Sequence, residues 1–127
     1  MRTLLLLLAL LMKLSYGCAP TSPATTPSPP VACKSCAQNL IMKTTNGGGS
    51  HDFQSDVTVT TGACAVRTLI CVGTNANIEL NNGDGVIMDG DDGAADGTAT
   101  LQVTCNAAGT GWVYMGVVIT QAECASA

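Results

Sequence analysis

The sequence predicts an all-β fold, a small disulfide-stapled antiparallel β-sandwich, on three observations. Runs of Val, Thr and Ile, residues that suit a pleated and half-buried surface, recur between clusters of Gly, Asn and Asp. No stretch of useful length carries apolar residues at helical spacing. Six cysteines fall between Cys33 and Cys124, and an even count in an exported chain reads as a framework of three disulfides.

Two segments precede the folded part. Residues 1–17 have the layout of a secretory signal peptide: Arg2, a Leu-rich run from Thr3 to Met12, then Ser15-Tyr16-Gly17 with small residues three and one positions before a cut ahead of Cys18. The run is too short and wrongly flanked for a membrane span, so the expected localisation is secreted and extracellular. Residues 18–32 are a Thr/Ser/Pro-rich tether. Pro20 to Pro30 reads PTSPATTPSPP, which fixes φ at every proline and offers nothing to a core. Such a stretch suits O-linked sugars. No Asn-x-Ser/Thr sequon occurs.

Without the leader, three basic residues (Lys34, Lys43, Arg67) stand against nine acidic ones, a formal charge of −6. No basic stripe exists to displace counterions from phosphates, which argues against nucleic acid. The same balance argues against an anionic membrane surface.

Residues 33–124 form the expected six-cysteine β domain. Strands are expected at Val57–Thr61, Cys64–Val72, Ala76–Leu80, Thr98–Cys105 and Trp112–Thr120. The fourth alternates cleanly, placing Ala99, Leu101, Val103 and Cys105 on one face. Asn106 to Gly111 reads as a turn, so the last two runs are expected to form a hairpin. Trp112 and Tyr114 share parity and point to one face. Inward, Trp112 is the largest piece of the core and packs on a disulfide; outward, the pair suits a sugar or a partner surface. The core reading is preferred, because Phe53, Trp112 and Tyr114 are the whole aromatic content of the domain. A core so thin leaves little margin against chain entropy, which makes the cysteines the main constraint on the fold.

The disulfide set is Cys33, Cys36, Cys64, Cys71, Cys105 and Cys124, with its connectivity open. Cys64 and Cys71 are seven apart, so on one continuous strand they face opposite sides, and each is expected to bond a distant partner. Cys33-Lys34-Ser35-Cys36 after a Thr/Pro tether, Gly62-Ala63-Cys64 with Cys71, Leu101-Gln102-Val103-Thr104-Cys105-Asn106, Trp112 and Cys124 together resemble the C6 domain. This extracellular module, expanded in nematodes, is named for six cysteines held to form three disulfides. The resemblance covers the whole region from Cys33 to Cys124 and extends to the leader and tether. It implies a secreted module of unknown function, with no catalytic residue to carry over. The seventh cysteine, Cys18, becomes the mature N-terminus if cleavage follows Gly17, and an odd cysteine there suits an intermolecular disulfide and a Cys18-linked dimer. A lipid-bearing cysteine is disfavoured, since Leu14 lies four positions before Cys18 rather than three.

The remaining chemistry is thin. Cys33-x-x-Cys36 lacks the helix N-terminus that lowers a redox thiol pKa, and only His51 stands outside the cysteines as a zinc ligand. Asp84, Asp89, Asp91, Asp92 and Asp96 alternate with glycines. The first four are candidates for a weak calcium-binding loop, although the spacing fails the EF-hand pattern and lacks its closing Glu. Ser50-His51-Asp52 follows three glycines, but chain neighbours do not aim into one triad and no Gly-x-Ser-x-Gly elbow is present. His51 is read as a surface histidine in a Gly-rich loop. No catalytic residue and no cofactor are assigned. The leading expectation is a non-enzymatic extracellular module that binds a protein or glycan through a β surface. The alternative is a structural or defensive matrix or surface protein, cross-linked through Cys18 and carrying a glycosylated tether.

Overall fold

The computed structural model describes residues 31–127. The expected signal peptide, Cys18 and nearly all of the tether lie outside the described residues. The domain opens with two 3-10 turns, Val31–Lys34 and Gln38–Leu40. Ten short strands follow: β1 (Met42–Thr44), β2 (Ser50–His51), β3 (Ser55–Val59), β4 (Val66–Val72), β5 (Asn77–Leu80), β6 (Gly85–Met88), β7 (Thr98–Cys105), β8 (Trp112–Tyr114), β9 (Val117–Ile119) and β10 (Gln121–Ala125). They build two sheets. The first, wholly antiparallel, runs β3-β4-β7-β8-β9. The second is mixed and runs β1-β10-β5-β6, with β2 also paired to β10. The fold is therefore an all-β sandwich, antiparallel except where β1 runs parallel to β10.

Alternation explains how the sheets face each other. In β7 the burial pattern inverts at almost every residue, and Ala99, Leu101, Val103 and Cys105 are all buried. Arg67, Leu69 and Cys71 do the same on β4. From the mixed sheet come Ile78 and Leu80 of β5, Ile87 of β6, and Ala122 and Cys124 of β10. Each carries its apolar set inward with the period of two that a pleated strand imposes. Trp112 is the largest fully buried side chain, sits opposite Cys105 in register, and donates its indole N–H to the Ala37 carbonyl oxygen at 2.9 Å. That bond satisfies the one polar atom such a core residue carries.

Three disulfides staple this core. Cys33–Cys64 and Cys36–Cys105 tie the opening 3-10 segment to the antiparallel sheet, across 31 and 69 residues. Cys71–Cys124 joins β4 to β10, and so joins one sheet to the other, across 53 residues. Cys64 and Cys71 each bond a distant partner, but Cys64 lies before β4 rather than on it. Closing loops of this length removes roughly 4 kcal/mol of chain entropy per bridge from the unfolded state.

The main differences from the sequence expectation are three. Val57–Thr61 is displaced to Ser55–Val59. Trp112–Thr120 is not one strand but β8 and β9, folded back on each other at Met115-Gly116. Both turn residues have positive φ, +47° and +84°, the signature of a tight two-residue hairpin, so a glycine there decides the local topology. Finally the sequence expectation lacks β1, β2, β6 and β10. Gln121–Ala125 contains a Glu and no β-branched residue, and its strand character comes from pairing with β1, β2 and β5 rather than from propensity.

Candidate functional site

Two polar clusters and one open surface account for the residues with chemical potential. The first cluster surrounds Arg67. Sequence parity with Leu69 and Cys71 turns this side chain into the sandwich, where it is 1% exposed. Its Nε and Nη2 donate to the two carboxylate oxygens of Asp56 at 2.7 Å each, and Nη1 donates to the Gln38 carbonyl oxygen at 2.6 Å. The guanidinium carbon lies 5.9 Å from the centre of the Trp112 ring, within cation–π range. Lys43 reaches the same carboxylate from β1 at 2.8 Å. The Arg67 hydrogen bonds, with help from Lys43, hold the Asp56 carboxyl down at about 2. Arg67 is thus a fixed core cation and not part of the surface charge.

The second cluster is Glu123 on β10. Its carboxylate accepts from Thr44 Oγ1 at 2.7 Å and from the backbone N–H groups of Asn46 and Gly47 at 3.1 and 2.6 Å. These bonds hold its pKa below the ordinary glutamate value, the Thr44 hydroxyl contributing most. A Cβ at Gly47 would stand 2.7 Å from Glu123 Oε1, so a larger residue there would push the carboxylate off its hydrogen bonds. Through these bonds the Gly-rich loop between β1 and β2 is anchored to β10.

His51 departs from its expected setting. It is half-buried on β2, opposite Cys124, rather than free in a surface loop. Nδ1 faces the Asp52 carbonyl oxygen at 2.9 Å, which can only accept, so Nδ1 carries the proton and Nε2 accepts from the Ser126 hydroxyl at 3.0 Å. Ser50 directs its hydroxyl to the Gly47 carbonyl oxygen. Ser50, His51 and Asp52 therefore do not converge as a nucleophile, base and orienting acid. One ring nitrogen of His51, Cys71 Sγ and Cys124 Sγ lie within 4.8 Å of one another, but both sulfurs are spent in a disulfide.

The acidic candidates are dispersed. Asp84 precedes β6 while Asp89 follows it, so a four-residue strand separates them. Asp89 accepts from the backbone N–H groups of Asp96, Gly97 and Thr98. Asp91 accepts from Met88 N–H and Asp92 from Ala94 N–H. These three carboxylates shape the loop that connects β6 to β7.

The open surface is the outer face of the antiparallel sheet. Ser55, Val57 and Val59 face out from β3, and Val66, Thr68, Ile70 and Val72 from β4. Thr98, Thr100, Gln102 and Thr104 do so from β7, with Val113 on β8 and Val118 on β9. None of these positions is charged. One row, Val59-Val66-Thr104-Val113-Val118, crosses all five strands in continuous register. Val57, Val59, Val72 and Val118 are between 41% and 52% exposed, a concentration that single scattered apolar residues do not produce. The sequence shows the alternation of β7 but not the row, because cross-strand register is a property of pairing and turns.

No helix among the described residues is long and apolar enough to cross a membrane. No solved structure matches the chain. The uncharacterized protein R07B1.7 of Caenorhabditis elegans is 32% identical over 110 residues, which cover 84% of this chain and 73% of that protein. The C6 domain family model matches residues 33–124, taking in all six bridged cysteines, and the chain belongs to the C6 domain family.

Proposed function

We propose that this protein is a secreted, non-enzymatic extracellular module that binds an uncharged protein surface through the outer face of its antiparallel sheet. The observation that supports the reading is the absence of charge from that face in a chain whose acidic residues far outnumber its basic ones. Water solvates a β-branched face poorly, and covering it removes apolar area worth about 25 cal/mol per Å². A charged partner would lose hydration there with nothing to pair against. The three disulfides suit an oxidising compartment, and His51, Ser50, Asp56, Asp89, Asp91, Asp92 and Glu123 are each held by structural hydrogen bonds.

The test is a binding screen of the full secreted chain against extracellular proteins, alongside a Val66→Lys/Val113→Lys variant. A partner of this face loses the variant and binds wild type with little change between about 0.05 and 0.5 M NaCl, since no ion pair is screened. A partner that keeps the variant, or that dissociates steeply with salt, rejects the face as the binding surface.

A further inference from the structure

Independently of the flat face, a cavity of about 190 Å³ opens where the β5–β6 turn of the mixed sheet meets the β8–β9 hairpin of the antiparallel one. Leu80, Val117 and Ile119 give it apolar walls, and Tyr114 and Met115 come from the hairpin side. An internal void of about 150 Å³ is enough to take up benzene. The space therefore accepts a body the size of one aromatic ring with a short tail.

The walls are fixed in place. Asn81, at φ +48°, turns its side-chain oxygen toward the N–H groups of Thr120 and Gln121, at 2.9 and 3.3 Å, and donates its amide to the Val118 carbonyl oxygen at 3.0 Å. This ties the β5–β6 turn to the segment that follows β9, so the cavity does not need a partner to form it. A preformed site spares a ligand the cost of ordering it.

Among the residues that line the cavity, Asp84 is the one that carries a charge. Asp84 is exposed and forms no ion pair: both salt bridges among the described residues run to Asp56, from Lys43 and Arg67. Apolar walls, an aromatic residue and one unpaired acidic residue in the lining are complementary to one ligand chemistry. We propose that this cavity binds a small organic monocation, an amine whose apolar body is about the size of a phenyl ring. The body lies against Leu80, Val117 and Ile119, and the ammonium sits between Asp84 and the face of Tyr114, where carboxylate and ring quadrupole both favour it. Anions of the same shape are repelled.

Three probes of one shape test this by NMR titration of the full secreted chain: 2-phenylethylammonium, 2-phenylethanol and 3-phenylpropanoate. The expected result is saturable shifts at Leu80, Tyr114 and Met115, with the ammonium binding about fivefold or more tightly than the alcohol and the carboxylate not binding. Asp84→Asn, an exposed substitution, brings the ammonium down to the affinity of the alcohol. Val117→Trp, which fills the opening, removes the shifts that the ammonium and the alcohol produce. The proposal is overturned by an absence of shifts at these residues, by equal affinity for ammonium and alcohol, by an Asp84→Asn variant that keeps the preference, or by a Val117→Trp variant that still binds.

Discussion

The two sheets solve the same problem in opposite ways. The antiparallel sheet has its longest pairing, β4 with β7, in seven successive registered pairs, and it carries no charged group on its outer face. The mixed sheet has strands of two to five residues, and polar side chains do the work that strand length does elsewhere. Glu123 fastens the loop between β1 and β2, Asn81 fastens the turn between β5 and β6, and Lys43 crosses to Asp56 on the other sheet. Two acids, Glu123 and Glu79, even stand directly opposite in register on its outer face, where like charges ordinarily destabilise a pair. The contrast teaches that a face relieved of anchoring duty is free to stay uncharged, and that freedom is what makes the antiparallel sheet the candidate binding surface.

The largest expected effect comes from cutting the joint between the sheets. Cys71→Ala with Cys124→Ala removes the one bridge that links them, and denaturant unfolding is expected to show a loss of about 4 kcal/mol. Removing Cys33–Cys64 in the same way leaves the sheets joined, so equal losses in both variants would show that loop closure, not the inter-sheet joint, sets the cost.

Next in size is Asp56→Ala, which leaves Arg67 buried beside Trp112 with its charge uncompensated. A loss of about 3 kcal/mol is expected in the same assay. Replacing Arg67 by Met together with Asp56 by Leu should recover most of it, because an apolar pair of similar volume carries no desolvation penalty. Failure of the double variant to recover would mean that the Gln38 and Trp112 contacts of Arg67, rather than the ion pair, hold this part of the core.

Acid titration should act on the polar anchors of both sheets. The folded Asp56 carboxyl titrates at about 2 against an ordinary value of 3.8. A carboxylate depressed on folding stabilises the fold fully above its unfolded value and loses that contribution as pH falls through the folded one. Glu123 is depressed too, so it acts in the same direction below the ordinary glutamate range. Stability is therefore expected to be flat near neutrality and to fall between about pH 4 and pH 2, with Asp56 supplying about 1–2 kcal/mol after allowance for its partial exposure. In the Asp56→Ala background the fall should shrink; an unchanged profile would place the acid sensitivity elsewhere.

How much of this was legible in the sequence follows from the physics of each element. Thr98–Cys105 was read residue for residue, because a central strand buried on one side obeys strict alternation. The Trp112–Thr120 run was read as one strand because every residue but the turn favours β structure, and the Met115-Gly116 reversal rests on backbone signs that composition does not carry. Arg67 was counted as surface charge although its parity with Leu69 and Cys71 already pointed inward; charge overrode period in that reading. Asp89, Asp91 and Asp92 stand out in the sequence as carboxylates among glycines, while the backbone N–H groups their carboxylates meet are presented only by the folded loop. Glu123, the anchor of the mixed sheet, gave no local signal: its partners lie nearly eighty residues away.

The smallest effect is the sharpest test of the comparison. Gln102 is exposed on β7, the central strand of the antiparallel sheet, and pairs with Thr68. Gln102→Glu changes almost no volume and breaks no hydrogen bond of the described set, so unfolding free energy should move by no more than about 0.5 kcal/mol. Yet the substitution places a charge in the middle of a face that otherwise has none. A partner docked there would have to bury it unpaired, and binding should fall at least tenfold while stability holds. Moving the same charge to the outer face of the mixed sheet, as Asn77→Asp, should leave binding untouched, since acids already stand on that face. If both substitutions weakened the complex alike, the two faces would not differ in function, and the division of labour between the sheets would concern folding alone.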